Sequence, residues 1–336
     1  MRLVAWPRLL GINLLETLTV LPGDEEISQH GEYNQGEHYC HHHSSNSPLP
    51  VVLDVNRSLK RFPPGIEEAE RPALQEQLTR LIVRVLIAQP GLHYYQGYHD
   101  VAITFLLVVG EHLGYQIMER LSVSHLRKFM TPSMEQTMEL LQLIYPIIKN
   151  TSPDLHSHLV ASELGTVFAL PWLITWFGHV LPNYCDVVRL YDFFLAGPPL
   201  MPIYLAAAIV LHREEEILST GDTAHQSSFF HKSIVLSSDC EMSAVHGLLS
   251  RIPVNLPFET LLVDCQSLYE RFPPYTIQAE AARELARQRE ERERQIAGRR
   301  KPSSGGAGSY RQLLTRIVIF SAPVVIGVLI WRASQS

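Results

Sequence analysis

Apolar residues recur every three or four positions along much of the chain, which is the spacing of one face of an α-helix. Between positions 66 and 87 they recur at this helical spacing among Glu, Gln and Arg residues, and Pro90 with Gly91 ends the pattern. The same spacing predicts further helices over 101–113, 134–148, 155–180, 187–195, 203–218 and 243–249. No segment sustains the strict alternation of a half-buried strand. The chain is therefore predicted to be all-α.

Three places interrupt this helical pattern. Pro171 lies inside the predicted helix 155–180, and proline removes a backbone donor and clashes with the preceding turn, so we expect a kink or a division there. The segment 23–50 is rich in His, Gly, Ser and Asn, and the segment 219–238 is largely polar. Both are interpreted as loop insertions into a helical domain.

The C-terminal part of the chain has a different composition. Positions 279–301 are dominated by charged residues, which can form a solvated helix but not a core, and Ser and Gly follow, so 275–312 is predicted to be a charged, flexible linker. Beyond it, 313–331 contains one charge, Arg316. As a helix this segment is roughly 28 Å long, close to the hydrocarbon thickness of a bilayer. We predict a single transmembrane helix rather than a buried core helix.

The arginine and lysine residues around this segment predict its orientation. Five of them precede or begin the apolar run, whereas one, Arg332, follows it. Because positive residues favour the cytosolic side, the large N-terminal part is predicted to face the cytosol. The short span suits a thin membrane such as the endoplasmic reticulum.

Composition narrows the class of protein. The apolar fraction of 46% and the charged fraction of 18% are typical of a globular chain. The net charge of −6 argues against a nucleic-acid binder. The cysteines have no CxxC spacing, and the His-rich segment fits no closed tetrahedral zinc site, so no metal site is predicted. The side chains of that segment that could ligate a metal are His30, His38, Cys40, His41, His42 and His43.

Two short motifs carry candidate chemistry. They are VVLDVNR at positions 51–57 and YYQGYHD at positions 94–100, separated by one predicted amphipathic helix. They resemble the IxxDxxR and YxQ motifs of the TBC-domain Rab GTPase-activating proteins. WPRLL at 6–10, WLITWF at 172–177 and RLYD at 189–192 are also similar to that family, and the likeness extends over 2–272. It is strongest to a branch anchored in the endoplasmic reticulum. The resemblance implies a multi-helix TBC domain over 1–274.

The resemblance also implies a function. The chain would accelerate GTP hydrolysis on Rab GTPases of the ER-to-Golgi pathway by supplying two side chains in trans. Arg57 would be the arginine finger, which stabilises phosphate charge, and Gln96 would orient the attacking water. GTP and Mg²⁺ would belong to the partner, so no cofactor of its own is expected.

The neighbours of these two residues are expected to hold them. Asp54 precedes Arg57 by one helical turn, so its carboxylate can fix the guanidinium. Tyr94 and Gly97 would support the loop that carries Gln96. Arg61 is a rival for the finger, but Arg57 keeps the motif's spacing from the aspartate.

Other interpretations remain open at this point. A non-catalytic, membrane-anchored adaptor with a TBC-like fold would bind a Rab without accelerating it. A hydrolase using His99 and Asp100 is a weaker alternative, because no nucleophile motif accompanies them. Arg189 and Asp192 are interpreted as a structural pair rather than a catalytic one.

Overall fold

The computed structural model of the chain describes residues 1–13, 49–58, 65–227 and 237–299. Within these ranges the regular structure consists of α-helices and short 3-10 turns without a strand, which confirms the all-α prediction. The helices are α1 (Arg2–Leu9), α2 (Leu49–Ser58), α3 (Arg71–Ala88), α4 (Tyr98–Ser122), α5 (Glu135–Leu141), α6 (Ile144–Thr151), α7 (Pro153–Ala161), α8 (Leu170–Ile174), α9 (Tyr184–Ala196), α10 (Met201–His212), α11 (Glu214–Ser227), α12 (Ser237–Leu249), α13 (Phe258–Arg271) and α14 (Pro274–Arg299).

Two helices form the centre of the first compact unit, Met1–Ala281. Helix α4 packs against α1, α2 and α3, whereas α10 packs against α6, α8 and α13. Every residue from 201 to 210 is buried, so α10 has no solvent-facing side over these ten positions. A helix that is apolar all round is stable only when neighbours surround it, and this explains its central position.

Helix α4 is long and apolar enough to cross a membrane, and no other helix in the described ranges is. Most of its apolar stretch is buried inside the protein, so it serves as a core helix. Gly110 interrupts its helical geometry with φ 81° and ψ 171°. Glycine tolerates this conformation, which lets the helix change direction while it continues. The predicted membrane segment 313–331 lies outside the described residues.

The region predicted as one helix over 155–180 contains several elements. Helix α7 ends at Ala161, a 3-10 turn covers Val167–Ala169, and α8 covers Leu170–Ile174. Pro171 lies in the first turn of α8, where a backbone N–H has no helical partner to lose. The prediction that Pro171 divides this region is therefore confirmed.

Helix α8 ends in a Schellman motif without glycine. The Trp176 N–H donates to the Leu173 carbonyl at 3.2 Å, and the Phe177 N–H donates to the Trp172 carbonyl at 2.6 Å. Trp176 and Phe177 both adopt positive φ, at 47° and 64°. Their backbone conformation is costly for residues with a Cβ, and burial of both rings offsets the cost.

Aromatic rings connect the end of α8 to the N-terminal helix. Trp6 lies 5.2 Å from Phe105, Phe105 lies 5.3 Å from Tyr191, and Tyr191 lies 5.3 Å from Trp176, all between ring centroids. Trp176 also contacts Phe194 at 5.4 Å. This aromatic cluster joins α1, α4 and α9 to the segment after α8.

Several predicted boundaries differ from the structure. The helix predicted over 66–87 begins at Arg71, and the one predicted over 134–148 is divided into α5 and α6. The polar stretch predicted as a loop over 219–238 is helical as far as Ser227, because α11 continues through it. Positions 228–236 and most of the other predicted insertion, 23–50, lie outside the described residues.

Helix α14 belongs to both compact units. Its first residues complete the unit Met1–Ala281, where Ile277 and Ala281 are buried, so this unit extends beyond the predicted domain end at 274. From Ala282 to Arg294 the side chains of the helix are largely exposed. Arg287 pairs there with Glu284 at 2.8 Å, one turn away. This charged stretch is therefore helical and solvated, which is a form that its composition allows.

Candidate functional site

Helix α2 holds Arg57 at the protein surface, while the opposite side of the helix is buried. Val51 and Val55 are fully buried and fix one side of the helix against the core. Arg57 is 48% exposed, whereas Asp54, one turn earlier, is 7% exposed. The Arg57 guanidinium donates through Nη2 to Asp54 Oδ1. A permanently charged group is thereby held at the surface by a carboxylate that is itself inside the protein.

The second motif forms the connection between α3 and α4. Tyr95 points inwards, and its hydroxyl donates to the Ile174 carbonyl at the end of α8 across 2.9 Å. Burial raises the pKa of this phenol well above its usual value, so it remains a hydrogen-bond donor. The His93 N–H donates to the Met130 carbonyl at 2.9 Å. The loop is therefore fixed on both sides of Tyr94.

Gly97 ends this loop and begins α4. Its φ is 111°, a conformation that L side chains rarely adopt. A Cβ at this position would lie 3.1 Å from Thr175 Cγ2, directly after α8. The loop needs glycine here for both reasons.

The neighbouring Gln96 is partly exposed. Among the residues that the structure describes, its side chain has no hydrogen-bond partner. The amide, which can both donate and accept, is thus available to an external group.

Tyr94 links the two motifs. Its hydroxyl donates to Asp54 Oδ2 at 3.0 Å, while Asp54 Oδ1 accepts from Arg57. The same hydroxyl lies 3.0 Å from His99 Nδ1. Burial, reinforced by the Asp54 charge, strongly raises the pKa of Tyr94, so the phenol keeps its proton. Both oxygens of Asp54 are occupied, one by each motif.

His99 and Asp100 lie behind this contact. His99 Nε2 is 3.6 Å from Asp100 Oδ2, and His179 Nδ1 approaches the same oxygen at 3.5 Å. His99 also contacts the hydroxyl of Tyr94, whose raised pKa makes it a poor nucleophile. This geometry gives the hydrolase alternative no support. Among the described residues, no group of His, Cys, Asp and Glu side chains could hold a metal ion.

The structure locates the remaining predicted residues. Arg61 lies outside the described residues. Arg189 and Asp192 do not pair with each other as predicted, because closer partners are available. Arg189 donates to Glu259 at 2.8 and 2.9 Å.

Asp192 joins the N-terminal helix to α9. It accepts two hydrogen bonds from Arg2, at 2.8 and 2.7 Å, and one from Trp6 Nε1 at 2.7 Å. These partners are far away in sequence, so no local spacing could indicate them. The contacts of Tyr95 with Ile174 and of His179 with Asp100 were missed for the same reason.

The chain was compared with known protein families, proteins and structures. The Rab-GTPase-TBC domain family matches residues 1–218. TBC1 domain family member 20 of Mus musculus is 48% identical over 290 residues, which cover 86% of this chain and 62% of that protein. GTPase-activating protein gyp10 of Schizosaccharomyces pombe is 33% identical over 220 residues, covering 65% of this chain and 54% of that protein. The chain thus spans less than two thirds of the length of both relatives.

The fold is also similar to solved structures. The crystal structure of the Ypt/Rab-GAP domain of Gyp1p superposes with a TM-score of 0.56 at 15% identity, covering 80% of this chain and 88% of that one. A flagellar RabGAP TBC domain of Chlamydomonas gives a TM-score of 0.51 at 16% identity, covering 79% and 78%. These likenesses concern the fold alone. The match of the family model to residues 1–218 establishes that the chain belongs to the Rab-GTPase-TBC domain family.

Proposed function

We propose that this chain accelerates GTP hydrolysis by a Rab GTPase, with Arg57 and Gln96 entering the partner's nucleotide site. The observation that carries the proposal is the arrangement at α2. Arg57 is half exposed, and the carboxylate that orients it is buried and held from behind by Tyr94. The family membership and the name of the S. pombe relative, a GTPase-activating protein, support the same activity.

Arg57 supplies positive charge to the nucleotide site of the partner. During phosphoryl transfer, negative charge develops on the phosphate oxygens, and the planar guanidinium can bind two of them at once. An arginine finger contributes about 10³- to 10⁵-fold in rate, or roughly 4 to 7 kcal/mol of barrier. Because Asp54 already restricts the guanidinium, less conformational freedom is lost when the finger enters the site.

Gln96 supplies the second contribution. Its amide donates and accepts at once, which is what orienting a water molecule against a phosphate requires. The loop that carries it is fixed through Tyr95 to Ile174 and through Gly97 against Thr175. A rigid support keeps such a group close to its working position.

The test is single-turnover GTP hydrolysis by a panel of purified Rab GTPases, with the full chain in detergent. We expect acceleration of at least one Rab, and its loss with Arg57→Ala, Arg57→Lys and Gln96→Ala. Lysine should fail because a point charge cannot bridge two oxygens. Arg61→Ala is the matched control and should behave like the unchanged chain. If Arg61→Ala abolishes the acceleration while Arg57→Ala preserves it, the finger is assigned to the wrong arginine.

An adaptor function is the alternative. It predicts a chain that binds a Rab but leaves its hydrolysis rate unchanged. Two observations favour the catalytic function: Arg57 has a buried support, and the Gln96 amide has no hydrogen-bond partner within the described part of the chain. Binding a Rab would require neither feature. A folded chain that binds a Rab without accelerating it would establish the adaptor.

We also propose that 313–331 crosses the endoplasmic reticulum membrane once, with the TBC domain in the cytosol, and that the partners are Rab GTPases of the ER-to-Golgi pathway. The uncharged run after Arg316 and the excess of arginine before it support this arrangement. Protease treatment of sealed microsomes should digest the domain while a tag placed after Ser336 stays protected. Digestion of both would contradict the topology.

A further inference from the structure

His99 is connected to Arg57 through two other side chains. His99 Nδ1 lies 3.0 Å from the Tyr94 hydroxyl, and that hydroxyl lies 3.0 Å from Asp54 Oδ2. Asp54 Oδ1 accepts from the Arg57 guanidinium. His99 and Asp54 are buried and Tyr94 is partly buried, so water does not readily replace a lost partner. We call His99, Tyr94 and Asp54 together the finger support.

The direction of each hydrogen bond follows from the donors available. A carboxylate has no proton to give, so the Tyr94 proton points to Asp54. The Tyr94 oxygen can then only accept from His99, which places a proton on Nδ1 of the imidazole. This N–H fixes the Tyr94 hydroxyl in the one orientation in which it donates to Asp54.

The position of His99 at the start of α4 fixes its imidazole ring. Its Nε2 is 3.6 Å from Asp100 Oδ2, and the ring belongs to the first turn of α4, directly after the strained Gly97. His179, which follows α8, approaches Asp100 Oδ2 at 3.5 Å. His99 thus lies two residues after Gly97, whose backbone lies against Thr175 in the segment after α8 that also fixes the loop of Gln96.

We propose that His99 is a positioning residue for the Arg57 finger, acting through Tyr94 and Asp54; this inference rests on the proposed function. His99 touches neither the GTPase nor the nucleotide. It determines where the Asp54 carboxylate points, and the carboxylate determines where the guanidinium lies. Loss of the Nδ1–H therefore lowers the maximal hydrolysis rate and leaves the binding of the GTPase unchanged.

Three substitutions separate this role from simple packing. His99→Phe fills the buried volume without a donor. His99→Asn keeps a donor at the place of Nδ1, and His99→Gln puts its amide near the place of Nε2 instead. We expect His99→Phe and His99→Gln to lower the maximal rate about tenfold at an unchanged half-saturating Rab concentration. His99→Asn should restore most of the rate. His158→Phe, on α7, is the control and should retain it.

A second measurement tests the inference without any Rab. Phenylglyoxal modifies free guanidinium groups, and peptide mass spectrometry gives the rate at Arg57 in the full chain. We expect several-fold faster modification in His99→Phe and His99→Gln, and an unchanged rate in His99→Asn, because only the first two release the Asp54 carboxylate. Thermal melting identifies any variant that fails to fold, and His99→Gln remains informative if His99→Phe does so.

The outcomes distinguish the two proposals. If the unchanged chain accelerates no Rab, the proposed function fails, while the modification rates still decide whether His99 orders Arg57. If folded His99→Phe and His99→Gln keep both the hydrolysis rate and the modification rate of the unchanged chain, the positioning role is overturned. Equal losses in His99→Asn and His99→Phe would also overturn it, because the donor at Nδ1 would then be irrelevant.

Discussion

The Tyr94 hydroxyl donates to Asp54 Oδ2 across 3.0 Å, and this bond joins two motifs that lie 40 positions apart in the chain. One motif carries Arg57 on a helix, and the other carries Gln96 on a loop. The proposed function requires these two side chains to have a fixed relative position. The Tyr94 to Asp54 contact provides a direct connection between their supports.

Removal of this hydroxyl tests the connection. In Tyr94→Phe, Asp54 Oδ2 and His99 Nδ1 lose a partner inside the protein, which should cost about 1 to 3 kcal/mol of unfolding free energy. Single-turnover assays should show a roughly ten- to hundredfold slower stimulated hydrolysis.

Tyr98→Phe provides the matched control. Tyr98 belongs to the second motif too, but its buried hydroxyl lies 2.7 Å from Ser122 Oγ, a partner that is in neither motif. The variant should lose a similar amount of stability but keep the hydrolysis rate once folded. Equal slowing in both variants would attribute the effect to general destabilisation.

Gly97 offers a test of the loop geometry. Its φ is 111°, and an added Cβ would lie 3.1 Å from Thr175 Cγ2, so Gly97→Ala should cost about 1 to 3 kcal/mol and displace Gln96. Gly91→Ala is the control, because a Cβ there meets nothing within 4 Å. Urea unfolding should separate the two variants, and the Gly97 variant should also lose stimulated hydrolysis. Similar midpoints for both would contradict a steric requirement at Gly97.

The sequence was informative where the determinants are local. Apolar spacing predicted the helical class, and the interval between Asp54 and Arg57 predicted their contact, because one helical turn brings such positions together. Pro171 marked a division for a local reason too. The proposed finger roles of Arg57 and Gln96 came from the family resemblance, and spacing alone would have described Asp54 and Arg57 as an ordinary surface ion pair.

Contacts between distant segments were not predictable in this way. The end of α8 carries Trp176 at the left-handed position where glycine is usual, so the sequence gives no sign of a helix end there. Helix α13 was missed even though its buried residues include Leu261 and Cys265. Asp192 was assigned to Arg189 because they are neighbours, whereas its partners Arg2 and Trp6 come from the other end of the domain.

Because of Asp192, the free energy of unfolding should depend on pH in the acidic range. Partial burial alone would raise the pKa of its carboxyl, but the hydrogen bonds from Arg2 and Trp6 outweigh burial and lower it below the usual 3.8. A lowered pKa means that the carboxylate stabilises the folded state above the unfolded pKa, and that this contribution is lost as the pH falls through the folded pKa.

The corresponding variant is Asp192→Asn. At neutral pH it should be less stable by about 1 kcal/mol, since Arg2 is partly exposed. The difference from the unchanged chain should begin to shrink as the pH falls below about 4, where the carboxyl of the unfolded chain becomes protonated, and should be lost once the folded carboxyl is protonated as well. Urea unfolding across this range measures it. Asp264→Asn, on the exposed side of α13, is the control, and its difference in stability from the unchanged chain should not shrink in this pH range. A difference for Asp192→Asn that stays constant with pH would refute the lowered pKa of Asp192.

Arg213 stabilises the junction between α10 and α11 from inside the protein. Its side chain is 5% exposed, and it donates to the Leu248 and Arg251 carbonyls at 3.0 and 3.1 Å and to Glu216 at 2.9 Å. Arg213→Met fills similar space but leaves two carbonyls without this donor, so the unfolding free energy should fall by about 2 to 4 kcal/mol.

Arg189→Met is the comparison for this last prediction. Arg189 also donates to a carboxylate, that of Glu259, but the pair is largely exposed, at 41% and 72%. Water replaces such contacts at little cost, so Arg189→Met should change the unfolding free energy by no more than about 0.5 kcal/mol. Urea midpoints at unchanged slope give both values. Equal effects of the two substitutions would mean that the carbonyl contacts of Arg213 add nothing to the stability of the domain.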